Sequence, residues 1–169
     1  MKNLIKNYGM NVSLTFNVFT NLYEIYYKEN LDSTLYNVTY CATLAEAFEE
    51  CNKKYLYLII KTALVNDGIT YSLYDNTFNP RDGYMASLQN CESVSYILDA
   101  DFLAKHIEKY ADKLNQKGMH LGIWLWEGKW YADVSLKFDK LNDAIVFGKA
   151  NKQIAIFDNA KKESITLEY

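Results

Sequence analysis

The stretch at 119–136, MHLGIWLWEGKWYADVSL, constrains the fold more than any other part of the chain. Two runs of alternating character, 120–126 and 129–136, flank Glu127-Gly128. A two-residue loop with Gly where φ > 0 is needed is a hairpin turn. The turn sets the register: Trp126 opposite Lys129, Leu125 opposite Trp130, Trp124 opposite Tyr131, Ile123 opposite Ala132. Strand side chains alternate between faces, so Leu121, Ile123, Leu125, Trp130, Ala132, Val134 and Leu136 share one face. Every one is apolar, and this face is predicted to be core. The other face carries His120, Gly122, Trp124, Trp126, Lys129, Tyr131, Asp133 and Ser135. Two Trp and a Tyr among charged residues is the composition of a recognition surface.

Around this hairpin the chain reads as α+β. A half-buried strand is expected at 12–19, a strand at 35–40, and a helix opened by the capping box Thr43-Leu-Ala-Glu46, with Leu44, Ala47, Phe48 and Cys51 inward. The segment 20–30 fits a helix or a strand. The apolar run 55–64 reads as a central strand that Asn66-Asp67-Gly68 turns into a hairpin strand over 69–74. The turn-forming run 75–83, with the single Pro, is an exposed loop before a strand near 84–88. Asp99 caps a long helix over 99–116, stopped at Gly118. A helix from Asp139 or Lys140 and a last hairpin, 154–157 with 164–168, complete the chain. The expected architecture is a mainly antiparallel sheet built of hairpins with helices packed on one side. One compact domain over 1–169 suits this length; the alternative is two lobes, 1–98 and 99–169, joined by the helix 99–116.

An internal repeat is the second organising signal. TLAEAFEECNKKYLYLI from Thr43 and KLNDAIVFGKANKQIAIF from Lys140 both read Leu-x-acid-Ala-apolar, then a basic Asn-Lys turn, then a strand. Duplication would give two β-α-β-β units; chance similarity between amphipathic elements is the competing reading.

Composition narrows the function classes. Half of the residues are hydrophobic, and the net charge is −3. Neither half of the chain is basic, which argues against a broad phosphate-binding surface. Three Cys without a CxxC spacing suggest neither a disulfide framework nor a zinc ribbon, and they are read as reduced core residues. The N-terminal MKNLIKNYGMN lacks the apolar run of a signal peptide, and no stretch reaches transmembrane length, so the expected location is the cytoplasm.

Catalytic signatures are weak. His106 falls on the inner stripe of the 99–116 helix, where a packed structural His is the expectation. His120 shares the hairpin face with Trp124, and the two are the candidate ligand-binding residues of a small-molecule reading. No HExxH and no His pair at ligand spacing is present, so no metal and no cofactor are expected. Asp99 and Asp101 lie where a helix N-terminus favours negative charge. The serines lack a nucleophile-elbow context, and no catalytic residue is assigned. The aromatic face is the stronger lead. Its partner-binding candidates are Trp124, Trp126, Lys129, Tyr131 and Asp133, with Phe78 and Arg81 at the tip of the 75–83 loop.

The C-terminal run Asp133-x-Ser135, then Leu141-x-x-Ala144-x-x-x-Gly148-Lys149-x-Asn151-x-Gln153-x-Ala155-Ile156-Phe157-Asp158, resembles the tails of small uncharacterised proteins of phages and mobile elements. It covers about 40 of 169 residues and brings no catalytic residue. Physically its parts are structural: Gly148 lets a helix sit close, and Asn151 can take the αL turn into a strand. Small phage proteins of this kind include inhibitors of host defence, anti-CRISPR proteins among them. The resemblance implies a non-enzymatic protein that occupies the surface of a host protein, a defence nuclease or its complex, without direct contact to nucleic acid or membrane. The alternatives are a small-molecule-binding or sequestering protein with an aromatic pocket, and a small hydrolase using His106 or His120. Self-association is compatible with each.

Overall fold

The computed structural model describes residues 12–29 and 33–169; the reading of the first eleven residues lies outside them. The chain is α+β, with two antiparallel sheets and four helices among the described residues. Strands β1 (Val12–Asn17), β2 (Leu22–Tyr27) and β3 (Asn37–Cys41) form a three-stranded sheet in chain order. Among its described residues the ambiguous segment 20–30 thus holds the strand β2, entered through Asn21 at φ 57.

Helix α1 (Leu44–Asn66) starts where the capping box placed it. The Glu46 amide donates to Thr43 Oγ1 at 3.2 Å, and the Thr43 amide donates to the Glu46 carboxylate at 3.1 Å. The expectation of a strand at 55–64 is wrong, because the helix runs on to Asn66. Ala47, Cys51, Tyr55, Ile59 and Ala63 are all fully buried, an unbroken i, i+4 stripe with no Gly or Pro inside it. A short apolar run does not declare its own period. Asn66-Asp67-Gly68 is accordingly a helix stop, with Asp67 left-handed at φ 53 and its N–H on the Ala63 carbonyl.

The seven-stranded sheet has the order β10-β9-β6-β8-β7-β4-β5 and is curled. It is built from β4 (Gly68–Ser72), β5 (Thr77–Phe78), β6 (Tyr84–Ser95), β7 (Met119–Trp126), β8 (Lys129–Phe138), β9 (Ala155–Asp158) and β10 (Glu163–Thr166). β6 continues well past the expected end at 88. Asp99 caps α2 (Ala100–Lys109), but the expected 99–116 helix breaks at Tyr110, where α3 (Ala111–Leu114) begins. α4 (Leu141–Ala150) lies between β8 and β9.

The order β-α-β-β does occur twice, as β3-α1-β4-β5 and β8-α4-β9-β10. The residues matched in the repeat do not correspond, however. Tyr55 to Ile60 are helical, whereas their counterparts in 154–157 lead into β9. β3 also lies in a different sheet from β4 and β5.

The helices pack on the apolar face of the large sheet. The main buried cluster joins Tyr55, Ile59, Tyr71, Leu103, Ile107, Leu121, Ile123, Ala132 and Val134. A smaller one joins Ala86, Ala144, Ile156 and Leu167 beneath α4. Gly148 allows that approach, since a Cβ there would stand 2.8 Å from Leu167 Cδ1. The αL turn after α4 falls on Lys152 (φ 55), not on Asn151 as expected (φ −93). Asn151 instead caps across the fold, its Oδ1 accepting the Gln89 amide at 3.1 Å.

Candidate functional site

The β7–β8 hairpin has the predicted register at all four pairs. Glu127 (φ 48) and Gly128 (φ 72) are both left-handed, the type I′ geometry that matches strand twist. Leu121, Ile123, Trp130, Ala132 and Val134 are buried as expected, while Leu125, beside the turn, is 39% exposed.

The opposite face divides into two zones. Trp124 and Trp126 are exposed, and Tyr131 and Lys129 are half-buried. The Trp124 and Tyr131 rings stack at 4.5 Å with an interplanar angle of 18°, and Trp126 lies 6.3 Å from Trp124 and 6.1 Å from Tyr131. Rings this close leave no slot for a flat ligand between them. They form a plate that offers its outer surface.

Beneath the plate the face is buried and polar. The Trp124 indole N–H donates to Asp133 Oδ2 at 3.0 Å, and Ser135 Oγ donates to Oδ1 at 2.5 Å. Ser87 Oγ lies 3.1 Å from Ser135 Oγ. A Cβ on Gly122 would stand 2.6 Å from Asp133 Oδ1, so the missing side chain at Gly122 is what admits the carboxyl. Burial raises the Asp133 pKa, against the lowering effect of hydrogen bonds from Ser135, Trp124 and Ser87. Asp133 therefore supports the plate from below and is not presented to a partner.

His120 is buried as well, with Nδ1–H donating to the Gly118 carbonyl at 3.0 Å. Burial lowers its pKa, opposed by the Gly118 carbonyl and by Asp75. This placement leaves His120 away from the exposed part of the face. Phe78 pairs with the core-face residue Tyr71, its ring 4.4 Å away, so it lies on the face opposite the plate. Arg81 is exposed in the connection before β6. Of the partner candidates, the structure gathers Trp124, Trp126, Lys129 and Tyr131 at the surface with Asp133 under them, and it does not bring Phe78 to them.

Two members of the patch were missed from the sequence. Val94 is 46% exposed and pairs with Tyr131; Tyr96 is 76% exposed and lies under Lys129 Nζ, 5.5 Å from the ring centre. Both owe their position to an irregularity in β6. Its register on β8 slips by three residues between Ser87 and Glu92, an odd number, so the inward and outward faces exchange. Without the slip, Val94 would continue the inward alternation of Tyr84 and Ala86. Asn90, at φ 59, marks the distortion.

No protein-family model matches the chain, and neither a curated protein nor a solved structure matches it.

The remaining reactive groups are placed apart. His106 is 1% exposed, with Nδ1 2.9 Å from Ser93 Oγ and its ring against the Asp133 backbone. Cys51 is buried, and burial pushes its thiol up to about 12, away from the nucleophilic thiolate. A groove of about 410 Å³ between β3 and α1 carries Glu49 and Glu50, and Lys53 pairs with both. Among the described residues no group of three or more His, Cys, Asp or Glu is placed to hold a metal ion. None of their helices is long and apolar enough to cross a membrane.

Proposed function

We propose that this chain is a non-enzymatic binding protein of phage or mobile-element type that inhibits a host defence protein by occupying its surface, an action anti-CRISPR-like in kind. The observation that supports the reading is the aromatic plate of Trp124, Trp126 and Tyr131, extended by Tyr96 and Val94, in which Trp124, Trp126, Val94 and Tyr96 are exposed and Tyr131 is half-buried. Large, ordered aromatic side chains are the usual anchors of protein interfaces, and Trp and Tyr lose little entropy when already held by their neighbours. The charges around the plate are Lys129 against Glu92 and Glu127, on a chain with net charge −3. This balance disfavours a phosphate backbone and suits a protein partner. The phage type rests on the resemblance of the C-terminal part, and the proposed partner is a defence nuclease or its complex, met in the cytoplasm.

The test compares wild type with the double variant Trp126→Ala, Tyr131→Ala in capture from host lysate, read by mass spectrometry. A captured protein counts only if, once purified, it binds the wild type in a defined ratio and loses activity in its presence, but not with the double variant. Both side chains lie outside the core clusters, so the melting temperature should stay within a few degrees of wild type. A large drop in stability would place the rings in the core and remove the reading.

A further inference from the structure

One acidic side chain lies directly under the exposed rings. Asp133 is 7% exposed, and the donors that reach it are neutral: the Ser135 hydroxyl on Oδ1, the Trp124 indole on Oδ2 and the Ser87 hydroxyl. Gly122, its register partner on β7, makes the room for it. We infer that Asp133 is the positioning residue of the aromatic site, fixing the Trp124 indole, and through its stack on Tyr131 the whole plate, in a way that changes when the carboxyl takes up a proton. The inference rests on the plate being the binding surface.

The hydroxyls below make both protonation states possible. Between Ser87 and Ser135 either oxygen can donate. With Asp133 ionised, Ser135 and the indole N–H both donate to the carboxylate, and the indole bond is charge-assisted. When the carboxyl binds one proton from solvent, its O–H donates to Ser135, Ser135 donates to Ser87, and Trp124 keeps only a neutral acceptor. Burial favours uptake of that proton at a higher pH than for an exposed Asp.

The other ionisable groups near Asp133 are few. Glu92 on β6 is its exposed register partner, and Tyr131 and Lys137 flank it along β8, with Lys137 engaged by Asp82. His120 shares the face on β7, and His106 meets its backbone from the helix side.

The test is a pH titration of the indole ¹⁵N–¹H resonances of the free protein, with Trp124 assigned through Trp124→Phe. The Trp124 resonance is expected to move with a midpoint above the ordinary Asp value of about 4. Asp133→Asn should abolish that movement. Ser135→Ala removes a donor to the ionised form and should raise the midpoint further. A flat Trp124 resonance in the wild type, or a titration that survives in Asp133→Asn, overturns the inference. If Asp133→Asn does not fold, the Ser135→Ala shift decides, and an unmoved midpoint counts against it. No partner is needed for these readings. A titrating Trp124 in a chain that captures no host protein would reject the binding reading and leave the Asp133–Trp124 linkage standing.

Discussion

His106 sits on the inner side of α2, with Nδ1 on Ser93 Oγ and its ring against the Asp133 backbone. Burial, offset only partly by the Asp133 backbone, pulls its pKa down to about 4 from 6.5. The folded protein therefore holds His106 neutral where the unfolded chain would bind a proton. Stability contributed by this neutrality is full above about pH 6.5 and is lost as pH falls toward 4, on the order of 3 kcal/mol. Asp133 acts in the opposite sense, since a raised carboxyl pKa costs stability as pH rises above 3.8. Urea unfolding of wild type and His106→Phe across pH 4–7 separates the two: the difference between the proteins should grow toward neutral pH by His106's share. A pH-independent difference would show that His106 titrates normally. The sequence placed His106 on a buried stripe, as found. It placed His120 on the open face without revealing that this end of the face is buried, because alternation assigns a side and not its cover.

At the scale of elements, α1 is the largest departure from expectation. The two readings of 55–64 make different demands on Tyr57 and Ile59. In a strand they would share a face; in the helix Tyr57 is 51% exposed and Ile59 fully buried. Ile59→Ala should therefore cost about 2–5 kcal/mol, and Tyr57→Ser roughly 0.5 kcal/mol or less, in denaturant unfolding. Equal losses would restore the strand. The capping box was legible because two side chains and two amides three residues apart define it. Where the helix ended was not, because Tyr, Leu and Ile satisfy a buried strand and a buried helix alike. The β7–β8 hairpin escaped this ambiguity, since its turn fixed phase and face together.

For the molecule as a whole, the composition of the binding face depends on the slip in β6. The distorted residues are held from two directions: Asn151, at the end of α4, accepts the Gln89 amide, and Tyr110, between α2 and α3, donates to the Asn90 carbonyl at 3.1 Å. Asn151→Ala is expected to cost about 1 kcal/mol and to speed hydrogen exchange at the Gln89 amide, with NMR shifts spreading to Val94 and Tyr96. Unchanged exchange at Gln89 would mean that the distortion is held without α4. β6 also sits between β9 and β8, so strands distant in sequence share one sheet, and the main buried cluster draws on residues from Val12 to Val134.

The sequence by itself determined the fold class, the α1 start, the β7–β8 register, and the core face of that hairpin apart from its end. Each depends on contacts between residues close in the chain, where spacing and turn chemistry are sufficient. Tertiary structure decided the rest: which end of the open face is buried, that Phe78 faces the core, and that Val94 and Tyr96 join the plate. Those outcomes depend on sheet order and on a slip of odd length between distant strands, and neither leaves a mark in the local pattern of apolar and polar residues.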